Sequence, residues 1–250
     1  VQVVGGPHEA PSEYISSSLQ KQFEYANVYD PSENRGSNLK CNFDDGITME
    51  FWMFKSSGSL MTGSTDLELP AMLSNEVSGA AAVAMFTQAT SPVSAGRVFF
   101  IVSSGSTVFD TTAPGGVSIT DDQIFDGRWH HYAFSAQNIG SNMNLKGYFD
   151  GDLVHDSIQA GNLSEITGAL KLNVGAARQG AIGTTGTFPS DGYGKLSGSI
   201  DEFRFWKTAR TADQIGKYWF TQFGGGTNLD NSNTDLGVYL KFNEGITETS

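Results

Sequence analysis

The 250-residue chain has 27 acidic side chains, four histidines and one cysteine with acid–base or metal chemistry to offer, and their spacing limits what that chemistry can be. Glycoside hydrolysis with retention needs two carboxylates about 5–5.5 Å apart. On a strand, where side chains repeat every two residues, that means a row at i, i+2 and i+4 or i+5. No extended run here carries such a row. Glu202 is followed two residues later by Arg204, which reads as an ion pair along one strand face. Asp121-Asp122 and Asp150-Gly151-Asp152 sit in turn sequences, where Asp serves local hydrogen bonding. His130 and His131 are adjacent, so a strand points them to opposite faces, and His8 and His155 are remote; this is no transition-metal set. No nucleophile-elbow sequence is present. The chain is therefore expected not to be an enzyme.

A different chemistry is available between Ala176 and Gly194, a long stretch rich in Gly, Thr and Ser without periodicity. Loops of this length in a compact domain are often functional. This one brings together Arg178, Phe188, Asp191 and Tyr193. Sugar sites combine an aromatic platform with a few amide or carboxylate hydrogen-bond partners, and these four side chains offer both. The alternative is an ordinary loop with its aromatics folded inward.

The elements that would position such a site read as strands. Ile47, Met49, Phe51 and Met53 alternate with Thr48, Glu50, Trp52 and Phe54, and Trp129, His131 and Ala133 alternate with His130, Tyr132 and Phe134. Large side chains on both faces predict central strands. Leu145, Gly147 and Phe149 alternate with Lys146, Tyr148 and Asp150 before Asp150-Gly151, a pair that favours a tight hairpin turn. Further strands are expected near Ala71–Leu73, Ala81–Thr87, Arg97–Ser103, Thr107–Thr111 and Lys171–Gly175, with Thr112–Gln123 as a turn. In Ile200–Trp206, strict alternation puts Asp201, Phe203 and Phe205 on one face and Glu202 and Arg204 on the other. Thr211 offers an N-cap with Gln214 three residues on, and Ile215, Tyr218 and Trp219 form a helical stripe suited to docking on the sandwich. Gly224-Gly225-Gly226 breaks the chain before a last alternation from Leu236 to Asn243.

Asp126-Gly127-x-Trp129-His130-His131 followed by Tyr148-Phe149-Asp150-Gly151 resembles the central hairpin of concanavalin A-like jelly rolls of the laminin G type. Gly198 to Trp206 is similar to that family's late strand, and Thr208 to Ile215 to the short helix after it. Together these blocks cover most of residues 38–220. The resemblance implies an all-β, jelly-roll β-sandwich of two antiparallel sheets with a short helix near 211–220. Trp52, Trp129, Phe149 and Phe203 are expected to be largely buried in it. Residues 1–35 would be an N-terminal wrapping segment or linker and 36–223 the sandwich; 224–250 would close it or start another module. The closing run Leu-Gly-Val-Tyr-Leu-Lys-Phe-Asn-Glu-Gly resembles the strand that commonly opens such modules. Modules with this ending resemble those of large virion proteins of marine bacteriophages.

The functions of that family are diverse, so the resemblance alone does not choose among them. With no catalytic row, the preferred reading is a non-catalytic module of a larger extracellular or virion structural protein, meeting a cell-surface glycan in adhesion or carbohydrate recognition. The alternative is a purely architectural decoration or spacer held by a neighbouring structural protein. Several members of the fold class hold a structural calcium ion at the sandwich rim through the Asp that matches Asp201. If Asp201 shares the core face with Phe203, a bare carboxylate there needs a cation or several donors. Backbone carbonyls and a second carboxylate from the N-terminal segment would complete the six to eight ligands that calcium takes. The competing expectation is a plain turn carboxylate accepting backbone N–H bonds.

A net charge of −12 argues against nucleic acid, whose phosphates demand a basic patch. No apolar run approaches the roughly 20 residues of a membrane span. Cys41 stands alone, so no disulfide forms within the chain. Val1 at the start, without a signal-peptide pattern, reads as a processed or excised piece of something longer.

Overall fold

Strand β2 (Ile47–Phe54) runs through the middle of a sheet, hydrogen-bonded to β11 (Ser199–Trp206) on one side and β7 (Trp129–Ile139) on the other. Its apolar residues on both faces predict that position. The computed structural model describes residues 2–4, 38–56, 67–75, 78–86, 98–112, 116–168, 170–176, 194–222 and 235–242. Among these, the sheet continues outward through β8 (Asn142–Phe149) and β9 (Asp152–Ala160) at one edge. At the other edge β12 (Leu236–Leu240) pairs with β11, so the last alternation in the chain adds a strand to this sheet. The facing sheet has the order β1 (Gln2–Val4), β10 (Lys171–Val174), β3 (Leu67–Ser74), β4 (Gly79–Phe86), β5 (Val98–Ser104) and β6 (Thr107–Asp110). Every ladder is antiparallel. This is the expected jelly-roll-like sandwich.

The core lies between the sheets. Met49, Phe51, Phe134, Phe149, Phe203 and Phe205 meet Leu73, Val83, Phe100 and Leu172 there. Phe100 and Phe134 stack across the interface with ring centroids 5.7 Å apart. Burying a side chain of this size contributes roughly 1.5–3 kcal/mol. Phe149 and Phe203 are buried as expected. Trp52 and Trp129 are not: Trp52 is half-buried and Trp129 is 45% exposed. Register explains both. Phe51 and Met53 face the core, so Trp52 and its cross-strand partner His131 face outward, and Trp129, two residues before His131, does too.

Local chemistry places the connections that matter for that outer face. Asp150 and Gly151 take φ of 49° and 86°, the paired positive values of a tight hairpin turn between β8 and β9. The Asp150 carboxylate then reaches back across the sheet, its Oδ1 accepting from the His131 backbone N–H at 2.8 Å. Residues before β7 hold a short capped turn, α1 (Asp121–Ile124), where alternation reads only a loop. Thr120 and Gln123 close a reciprocal capping box there. The second box, Thr211 with Gln214, starts α2 (Ala212–Tyr218) where the sequence places it. Among the described residues no helix is long and apolar enough to cross a membrane.

Candidate functional site

The site grows from an irregularity in β11. Asp201 pairs with Trp52 and Arg204 with Glu50, so Glu202 and Phe203 together stand opposite Phe51. Glu202 absorbs the extra residue at φ 52°, a left-handed conformation that costs of order 1–3 kcal/mol away from glycine. Phe203 keeps its place in the core. Asp201, opposite outward-facing Trp52, therefore turns away from Phe203 and Phe205, which corrects the alternation expected from the sequence. The bulge gathers Asp201, Glu202 and Arg204 on the outer face of one strand.

Beneath them lies a buried charge network. Glu50 Oε1 accepts from Trp206 Nε1 at 2.8 Å and from Arg210 Nη1 at 2.9 Å, with Arg204 Nη1 at 3.4 Å. Burial alone would raise the Glu50 pKa, but Arg210, His131, Arg204 and the Trp206 N–H outweigh it and hold this carboxyl below its ordinary range. Arg204 Nη2 donates to Glu202 Oε2 at 3.0 Å and to the Thr221 carbonyl at 2.6 Å. Glu202 also accepts from Gln222 Nε2 at 2.9 Å and from the Tyr239 hydroxyl. His131 Nε2 lies 3.7 Å from Glu50 Oε2, and burial pushes its pKa down to about 4, so the ring is neutral near pH 7. The network fastens the stretch after α2 to the sheet.

Helix α2 docks next to it. Ile215 packs with Ala133 and Tyr148, and the Trp219 ring lies 5.3 Å from that of Trp52 and 6.0 Å from His131. The following residue, Phe220, is 65% exposed. Between this end of the helix and the strands opens a cleft of about 250 Å³. Trp52, Trp129 and Phe220 supply its aromatic walls, and Asp201, Glu202 and Gln222 its polar ones. Asp201 Oδ1 accepts from the Glu202 backbone N–H at 2.9 Å. The other Asp201 oxygen, the Gln222 side-chain carbonyl and the Trp52 and Trp129 indole N–H groups have no partner among the described residues. Flat apolar surface beside hydrogen-bonding groups is the composition of a site for a small polar ligand.

The residues nominated from the sequence fare differently. Arg178, Phe188, Asp191 and Tyr193 lie outside the described residues. Asp201 lies in the cleft, and its side chain is half-buried on the outer face and not in the core, so core burial creates no demand for a cation there. The described residues do not fit that ion: Glu202, the nearest carboxylate along the strand, is taken by Arg204, and a guanidinium there opposes a second cation. Among the described residues no group of three or more His, Cys, Asp and Glu side chains is placed to hold a metal. The N-terminal segment expected to complete the ligands lies outside the described residues, apart from the backbone of β1. His130 and His131 do point apart. His130 lies between Asp150 Oδ2, 2.7 Å from Nδ1, and Asp126 Oδ2, 3.1 Å from Nε2. Sequence reasoning missed Trp129, Phe220 and Gln222 as site residues. The available signal was Phe220, an aromatic that follows the Ile215, Tyr218 and Trp219 stripe and stands outside it.

Residues 37–216 match the Laminin_G_3 family, described as the concanavalin A-like lectin/glucanases superfamily. The chain belongs to that superfamily. Similar solved structures include a putative carbohydrate binding protein from Bacteroides ovatus, at 15% identity and a TM-score of 0.49 over 82% of this chain and 47% of that one. Domains LG4-5 of the mouse laminin alpha1 chain align at 13% identity and a TM-score of 0.42, covering 70% of this chain and 42% of that one. The CBM40 of the Ruminococcus gnavus IT-sialidase aligns at 10% identity and a TM-score of 0.42, covering 88% and 98%. No curated protein matches the chain.

Proposed function

We propose that this chain is a non-catalytic carbohydrate-recognition module that binds a glycan in the cleft beside the end of α2. The observation that carries this reading is the pair of exposed aromatic rings, Trp129 and Phe220, facing a cleft that also holds Asp201 and Gln222. Sugars present an apolar C–H face and a rim of hydroxyls, and this cleft offers a counterpart to each. Membership of a superfamily that contains lectins agrees with it. Two of the carboxylates are engaged in ways that suit structure rather than hydrolysis: Glu50 is clamped by Arg210 and Arg204, and Glu202 by Arg204, Gln222 and Tyr239. The parent protein on this reading is a larger extracellular or virion structural protein, and the module serves adhesion at its surface.

The test is a glycan array probed with the wild type, Trp129→Ala and Phe220→Ala. Specific binding that both substitutions weaken at least tenfold is expected. Absence of any glycan signal from the folded wild type would remove this reading. An architectural role then becomes the better account, and the exposed Leu153 and Ile158 on β9, the last strand of its sheet among the described residues, favour it. That role would appear as concentration-dependent association in sedimentation.

A further inference from the structure

The charged groups at the cleft are unequal in what they can offer a ligand. Arg204 is the one cation among the described lining residues, and it is only 1% exposed. Its guanidinium faces Glu50 through Nη1, at 3.4 Å, and Glu202 and the Thr221 carbonyl through Nη2, at 3.0 and 2.6 Å. Turning it toward a ligand would leave two buried carboxylates with a missing partner, a strongly unfavourable exchange. Asp201, by contrast, is half-buried at the cleft wall with one oxygen that accepts no hydrogen bond from the described residues. The net charge of −12 extends the same sign over the whole chain.

From this asymmetry we propose that the cleft takes a saccharide without acidic groups and rejects anionic ones, an inference that rests on the carbohydrate reading above. A sialylated, uronic or sulfated sugar entering here meets the Asp201 carboxylate and, among the described lining residues, no cation that can turn to it. Like charges brought together in a partly dehydrated cleft supply discrimination by repulsion. A sugar hydroxyl or amine instead donates to Asp201 and to the Gln222 carbonyl. The indole N–H groups of Trp52 and Trp129 can donate to its ring or hydroxyl oxygens, and its C–H face covers Trp129 or Phe220. Each group of the cleft then has a complement.

The experiment uses an array on which each oligosaccharide core appears in neutral, amine-bearing, sialylated and sulfated forms, followed by calorimetric titration of the best core in all four forms. The wild type is expected to bind a neutral or amine-bearing core at least tenfold more tightly than its acidic forms. Asp201→Asn should narrow that ratio several-fold, and Asp201→Lys should narrow it further. Melting curves confirm that both variants fold, and either one suffices for the comparison. Equal or tighter binding of acidic forms by the wild type overturns the proposal while leaving carbohydrate recognition standing. A ratio unchanged in folded Asp201 variants overturns the assignment of selectivity to this cleft. Failure to bind any form removes the carbohydrate reading, and the proposal with it.

Discussion

Gly151 lies directly against the indole of Trp219: a β-carbon at position 151 would stand 2.4 Å from Cδ1 and 2.6 Å from Nε1. The turn between β8 and β9 thus forms the seat on which the end of α2 rests, and Phe220 follows from that seat into the cleft. Glycine is required twice over, for this approach and for its φ of 86°.

Gly151→Ala is expected to destabilise the protein by about 2–4 kcal/mol, combining left-handed strain with overpacking. It should also weaken glycan binding more than its distance from the cleft suggests, because Trp219 and Phe220 shift together. Urea unfolding gives the first quantity and titration of a bound glycan the second. A variant as stable as the wild type would mean that Trp219 does not rest on this turn.

Trp129 and Phe203 separate site from core. Phe203 is fully buried, and Phe203→Ala should cost about 3–5 kcal/mol. Among the described residues Trp129 makes one ring contact, with Phe54 at 5.8 Å between centroids, and Trp129→Ala should cost no more than about 1.5 kcal/mol. Equal losses in chemical denaturation would place Trp129 in the core and close the aromatic wall of the cleft.

The strands were legible because burial on both faces leaves a plain mark: continuous large side chains at Ile47–Phe54 and Trp129–Phe134 admit few other readings. The Asp150-Gly151 turn and the Thr211 cap were legible because each depends on the chemistry of one or two residues. The bulge in β11 was not. Glu202 adopts a conformation that glycine would have advertised, and nothing in Ile200-Asp201-Glu202-Phe203 marks where the period slips. That one residue reverses the face of Asp201 and creates the polar side of the cleft. Trp129 misled for a related reason, since alternation says which residues share a face but not how far α2 extends over it.

Asp201 also bears on the calcium expectation. Its carboxylate, on the outer face, accepts from the Glu202 backbone N–H, as a plain turn carboxylate would. The melting temperature should be the same in millimolar calcium and in chelator, for the wild type and for Asp201→Asn. A calcium-dependent rise abolished by Asp201→Asn would restore the ion and assign its other ligands to the N-terminal segment. Such a site would add about 2.7 kcal/mol at a hundredfold excess over its dissociation constant, which a melting curve resolves readily.

His131 gives the outer face a dependence on pH. Burial is the largest influence on its pKa, which falls to about 4; Glu50 and Asp150 pull it up, Arg204 and Arg210 down. In the unfolded chain an ordinary histidine titrates near ~6.5. Between these values the unfolded chain holds a proton that the folded protein does not. Stability is therefore complete above about pH 6.5, declines as pH drops toward 4, and loses nothing further from this group below that. The difference of roughly 2.5 units corresponds to about 3 kcal/mol, a large fraction of the 5–15 kcal/mol typical of a domain. Glu50 cannot rescue the charged ring, because both arginines already claim its carboxylate. His131→Phe keeps the ring against Trp52 and Trp219 and removes the titration. Urea unfolding at pH 7 and pH 4 should show the wild type losing about 3 kcal/mol more than the variant. Parallel losses would show that His131 does not stay neutral beneath α2.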